Sequence, residues 1–179
     1  VTISENTSSE RGGGMSSYAS NLTFNYVAFI HNTSNVSGGG MYTGGGTSTI
    51  SNSTFSENSA PNGGGMLNAS GTVITLDYVT FTDNTVTDRG GGMYNYLSNP
   101  VMTNITFTGN TAVTHGGGLF NSGSDPSMTD VTFSNNHSDT WGGGMDNNSC
   151  SPTLTNVTFS HNSADLSGGA LHNWEYSSP

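Results

Sequence analysis

The chain has 179 residues with two Arg, no Lys and twelve acidic side chains, a formal net charge of −10. That balance excludes phosphate-backbone binding, which needs a basic surface, so nucleic acid is not an expected partner. There is no apolar run long enough to cross a membrane as a helix, and the lone Cys150 leaves no internal disulfide.

In chain order the first predicted element is a strand, Val1-Thr2-Ile3-Ser4, in which apolar and hydroxyl residues alternate. Asn6 follows, then Gly12 to Gly14, a run suited to a corner that needs φ > 0 or close backbone approach. Met15 opens a second strand, and Phe24 leads through Val27 and Phe29 into a repetition of the whole pattern. Asparagine returns every 26 residues, at Asn6, Asn32, Asn58, Asn84, Asn110, Asn136 and Asn162. Three residues before it stands Phe29, Phe55, Phe81, Phe107, Phe133 or Phe159, with Ile3 in the first repeat. The glycine corner recurs ahead of Met41, Met66, Met93, Leu119 and Met145. It slips by one residue at Gly65 and Gly169, and the slips are expected in loops and never in strands.

A unit of this length cannot bury its apolar face alone and has to stack. The predicted fold is all-β: a parallel β-helix of about seven 26-residue coils, one domain over residues 1–179. At a coil spacing of about 4.8 Å it would stand roughly 34 Å tall. The asparagine column is expected to form a ladder hydrogen-bonded from coil to coil, as in other stacked β structures.

The pairing of a glycine run and Met with Phe-x-x-Asn, seen as Gly91-Gly92-Met93 with Phe81-Thr82-Asp83-Asn84, resembles the repeat of polymorphic outer membrane proteins and related right-handed parallel β-helix surface proteins. The resemblance covers nearly the whole chain. It departs in the third glycine with methionine, where that family tends to have alanine and a branched aliphatic. It implies a right-handed helix in a secreted or surface-displayed adhesin or passenger domain, with no catalytic set attached to the motif.

Polysaccharide lyases and galacturonases share this architecture, so the residues must be tested for their chemistry. A lyase needs cationic groups around an acidic sugar, yet Arg11 and Arg89 fall three coils apart, about 14 Å. A glycosidase needs two carboxylates about 5 to 10 Å apart across a cleft, and the acidic residues are scattered over different columns. The expectation is therefore no catalysis and no cofactor.

One column, two past the phenylalanine, holds Glu5, His31, Glu57 and Asp83 on successive coils, a candidate for sharing a metal ion. A second, one past the methionines, holds Tyr42, Leu67, Tyr94 and Phe120, which alternation places outside as an exposed stripe able to hold a sugar chain or pack against a neighbouring fibre. Hydroxyl pairs flank the phenylalanines, as in Thr80-Phe81-Thr82 and Thr106-Phe107-Thr108, and resemble the arrays of ice-binding β-solenoids. Of ten Asn-x-Ser/Thr sequons, Asn52, Asn104 and Asn156 share one outward column and are the expected glycan sites, whereas Asn6, Asn32 and Asn136 belong to the ladder and should be bare. Cys150 is expected in a partly buried turn.

These expectations combine into an extracellular, cell-surface structural or adhesive β-helix, part of a fibre or passenger. Carbohydrate binding or degradation is the alternative and ice binding the third. The expected partners are polysaccharide or glycans and other copies of the chain, lateral or head to tail. Val1 enters in mid-repeat and Ser178-Pro179 stops just before the strand of another coil, which predicts further repeats or a filament of stacked subunits.

Overall fold

Alternating apolar and hydroxyl residues make strands with one dry face, and the 26-residue period lays each strand directly over its equivalent. The computed structural model, which describes residues 1–175 and 177–179, realises this as three parallel sheets of eleven, seven and seven strands. One coil serves for all. Val101–Thr103 and Thr106–Thr108 lie in the first sheet, Thr111–Ala112 in the second and Leu119–Ser122 in the third. Register steps by one whole repeat, Thr106 opposite Thr132 and Phe107 opposite Phe133.

The corners are made by residues in the left-handed region, which fall in four columns along the stack. One column contains Glu5, His31, Glu57, Asp83, Gly109, Asn135 and His161, with φ between 53° and 66°. Another contains Tyr26, Asn52, Tyr78, Asn104, Asp130 and Asn156 at 47° to 55°. That backbone costs an ordinary residue about 1–2 kcal/mol and is best tolerated by Gly, Asn and Asp, which explains much of what stands there. The middle glycine of each run has a different reason. A Cβ on Gly117 would enter the His137 carbonyl and lie 2.5 Å from the Gly143 carbonyl of the next coil, so the coils could not approach.

The glycine slip is absorbed otherwise than expected. Ser59–Asn62 pairs with Thr85–Arg89, and the register shifts between Val86 and Arg89, inside a strand. Bulges add one residue without breaking the ladder on either side. In the last repeat there is no slip: Gly144 donates to Gly169 O and Met145 to Ala170 O, so Ala170 occupies the third glycine position.

The core is a set of columns. Phe29, Phe55, Phe81, Phe107, Phe133 and Phe159 stack with centroids 4.7 to 5.0 Å apart and planes within 12°. Beside them Asn32, Asn58, Asn84, Asn110 and Asn136 are buried, each Nδ2 donating to the next coil's Oδ1 and to the carbonyl of the preceding coil's aromatic column. The predicted ladder is therefore present, with exposed Asn6 and half-buried Asn162 as its outer members. A second amide ladder was not foreseen: Thr43, Asn68, Asn95, Asn121, Asn147 and Asn173 are linked in the same direction at 2.8 to 2.9 Å. A third inward column, Thr72, Ser98, Ser124 and Cys150, satisfies turn amides, and Cys150 is buried within it.

Candidate functional site

The third sheet and the corner column ahead of the glycines meet at an angle, and the concave face between them gathers the chain's unusual side chains. The corner column reads Arg11, Ser37, Asn62, Arg89, His115, Trp141 and Ser167, bridged from coil to coil. Facing it is the predicted stripe, one past the methionine column.

The stripe points outward as alternation requires, but it is not exposed. Tyr42 is 5% accessible, Leu67 7% and Phe120 1%, while Tyr94 is half-buried. Corner side chains fold over it. The Arg11 guanidinium lies 5.0 Å above the Tyr42 ring and donates to Tyr18 and Tyr42 hydroxyls at 3.1 and 3.2 Å. Arg89 lies 5.7 Å above Phe120, and Tyr94 packs on Phe120 at 5.0 Å. The expected exposed stripe is thus the floor of a groove whose accessible rim is Tyr18, Tyr96 and the two arginines. Alternation gives a side chain's direction and is silent about what folds across it.

Around Arg11, Tyr18, Tyr42, Leu67, Arg89, Tyr94 and Tyr96 the groove encloses about 650 Å³. Burial pushes the Tyr94 phenol above its ordinary value, and it does the same to Tyr42 against the opposing field of Arg11. The hydrogen bond to Tyr18 raises Arg11. Arg89 Nε is buried with no hydrogen-bond partner, although the Asp88 carboxylate stands 3.3 Å away out of line. Buried donors without acceptors are uncommon and call for an explanation.

Toward the C-terminal coils the face becomes an aromatic and imidazole cluster. Asp146, in the stripe column, is fully buried, and its two oxygens accept from His115 Nδ1 at 2.6 Å and His172 Nδ1 at 3.0 Å. Trp141 stacks on His115 at 4.8 Å, and Trp141, His172 and Trp174 border a slot of about 260 Å³. The sequence reading missed this cluster because the slip read at Gly169 moves His172 out of the Asp146 column, while His115 and Trp141 belong to the corner column.

The other predicted sites lie elsewhere. In the column Glu5, His31, Glu57 and Asp83, the structure brings His31 Nε2 to Glu57 Oε2 at 2.6 Å, whereas Asp83 is engaged by the Thr82 hydroxyl at 3.0 Å. Among the described residues this column does not assemble three ligands, because His31 and Glu57 close on each other while Asp83 turns to the Thr82 hydroxyl. Asn52, Asn104 and Asn156 sit on the outside at left-handed corners, and their amides donate to Asn25, Asp77 and Asp130. Hydroxyl columns run in register as Thr80, Thr106, Thr132, Thr158 and Thr82, Thr108, Ser134, Ser160.

Comparison with known proteins adds the family. No curated protein and no solved structure matches the chain. The family model described as "right handed beta helix region" matches residues 34–179, most of the chain, leaving out the first coil and the opening strand of the second. With its coils stacked in three parallel sheets, the chain belongs to the right-handed β-helix family.

Proposed function

We propose that this β-helix is an extracellular adhesive element that holds a carbohydrate chain along its concave face without cleaving it. The observation that carries the reading is the concentration of both arginines, with Tyr18, Tyr42, Tyr94 and Tyr96, in one groove of a protein whose net charge is −10. Tyrosine faces pack on sugar rings while arginine forks reach hydroxyl and acid groups, and such a groove joins apolar area to a few oriented donors. The resemblance to polymorphic outer membrane proteins supports a surface-displayed setting.

Binding to a panel of neutral and acidic polysaccharides tests this directly. Tyr18→Ala or Arg89→Gln should weaken binding at least tenfold, and failure of every polysaccharide to bind would refute the proposal. New reducing ends or unsaturated products would replace it with the degrading alternative. Ice binding is a second reading, favoured by the two hydroxyl columns, which run unbroken from Thr54 and Ser56 to Thr158 and Ser160. Thermal hysteresis would establish it.

A further inference from the structure

His137, Asp139 and Asp165 are the described residues whose ligand atoms, one from each, all lie within 4.8 Å of one another. They come from two adjacent coils of the second sheet. His137 and Asp139 are two apart on one strand edge and so project to the same side, and Asp165 stands one coil along, in the column of Asp139. The main chain at both aspartates is held in the ladder, since Asp139 N–H donates to Ala112 O and Asp165 N–H to Ser138 O, each at 3.1 Å.

The geometry points to a site for a zinc-like divalent cation held by His137 Nε2 and one oxygen each of Asp139 and Asp165. Around a tetrahedral ion with bonds of about 2.0–2.2 Å, neighbouring ligand atoms stand about 3.3–3.6 Å apart. His137 Nε2 is 3.1 Å from Asp139 Oδ1 and 4.0 Å from Asp165 Oδ1, values that bracket this separation. The other ring nitrogen is already placed, with His137 Nδ1 2.9 Å from Ser163 Oγ on the next coil. A second partner of this kind orients a ligating imidazole and selects the nitrogen that faces the metal.

Charge adds to the argument. Two carboxylates stacked one coil apart repel, and the chain's two arginines lie on the concave face, in its first and fourth coils. One imidazole nitrogen with two carboxylate oxygens suits Zn²⁺, Co²⁺ or Ni²⁺, whereas Ca²⁺ and Mg²⁺ favour all-oxygen shells. The one remaining position goes to water, and the ion would staple the sixth coil to the seventh.

The test is calorimetric titration of the chelator-treated protein with Zn²⁺ at pH 7.5, with Co²⁺ absorption as a second readout. One equivalent should bind, and the thermal midpoint should rise with Zn²⁺ concentration. His137→Gln and Asp165→Asn should each weaken binding more than tenfold while circular dichroism shows the fold intact, and His31→Asn should change nothing. No binding at millimolar Zn²⁺, or equal binding by His137→Gln, would overturn the assignment. Loss of binding in His31→Asn would overturn it as well, by moving the ion to the His31–Glu57 pair.

Discussion

Replacing Asn110 with alanine removes four hydrogen bonds from the middle of the amide ladder. Its Nδ2 donates to Phe81 O at 3.0 Å and to Asn136 Oδ1 at 2.9 Å. Its Oδ1 accepts from the Asn84 backbone N–H at 3.1 Å and from Asn84 Nδ2 at 2.9 Å. In the alanine variant the Asn84 N–H and one of its amide hydrogens lose their acceptors in a site with no solvent access. Each orphaned buried donor costs about 1–3 kcal/mol, so the loss should be about 2–6 kcal/mol. Asn110→Asp separates hydrogen bonding from packing. It keeps the acceptor and the volume, but at neutral pH it sets a carboxylate against two oxygens, so it should lose at least as much and regain part of it in acid. Asn35, on an exposed turn, supplies the control, and Asn35→Ala should cost under about 0.5 kcal/mol. Chemical denaturation of the three variants measures the differences. An Asn110→Ala loss within about 1 kcal/mol of the control would show that the ladder is ornamental to stability and that the phenylalanine stack carries it.

Phe107→Ala should leave a cavity between two stacked rings and cost about 3–5 kcal/mol, against under about 1 kcal/mol for Thr106→Ala on the outer face, both read from denaturation midpoints. Gly117→Ala should cost about 3 kcal/mol or more, because the methyl meets backbone carbonyls of the neighbouring coil, whereas Gly109→Asn should be mild in a column that already holds Asn135 at φ 55°. Cys150 should resist a thiol reagent until the protein unfolds, and Cys150→Ser should fold, since Ser124 and Ser98 fill the same column. Burial raises the Cys150 thiol and the Tyr42 and Tyr94 phenols above their unfolded values of 9.0 and 10.0, so the folded protein holds those protons longer. Their contribution is intact below pH 9 and is lost as pH rises through the folded values, so the thermal midpoint should fall on the alkaline side and spectrophotometric titration should show late-ionising tyrosines.

The repeat made the fold legible from a few columns. Asn6 to Asn162 keep an unbroken period, Phe and Val alternate with Thr, and those two facts assign both the stack and its inner face. The second ladder was harder to read, since its column begins with Ser17 and Thr43 and passes through the slip before Asn68. The groove was half legible. Parity placed Tyr42, Leu67, Tyr94 and Phe120 on the outside, but whether they meet water depends on the angle between sheet and corner and on the reach of Arg11 and Arg89. Asp146 and His172 stand one period apart in the stripe column, but a slip read at Gly169 shifts His172 out of that column, and His115, 31 residues before Asp146, comes from the corner column, which period alone does not set beside it. His137, Asp139 and Asp165 likewise combine two columns.

The amide ladder has a consequence for how such a chain can change its length. Every seam between neighbouring coils along Asn32 to Asn136 is closed by the same donor and the same acceptor, so each joint is homotypic. Excising residues 84–109 would join Asp83 to Asn110 and set the Asn58 amide against Asn110 Oδ1, the same bond it now makes with Asn84. Phe55 would still face Phe81, and Phe81 would next meet Phe133. Copy number is therefore a nearly neutral variable in this architecture, open to gain or loss of whole coils by recombination between repeats. Each arginine is tied to a single coil and would be moved, doubled or deleted with it, whereas the imidazole cluster, which draws His115, Asp146 and His172 from three successive coils, would be broken by loss of the middle one.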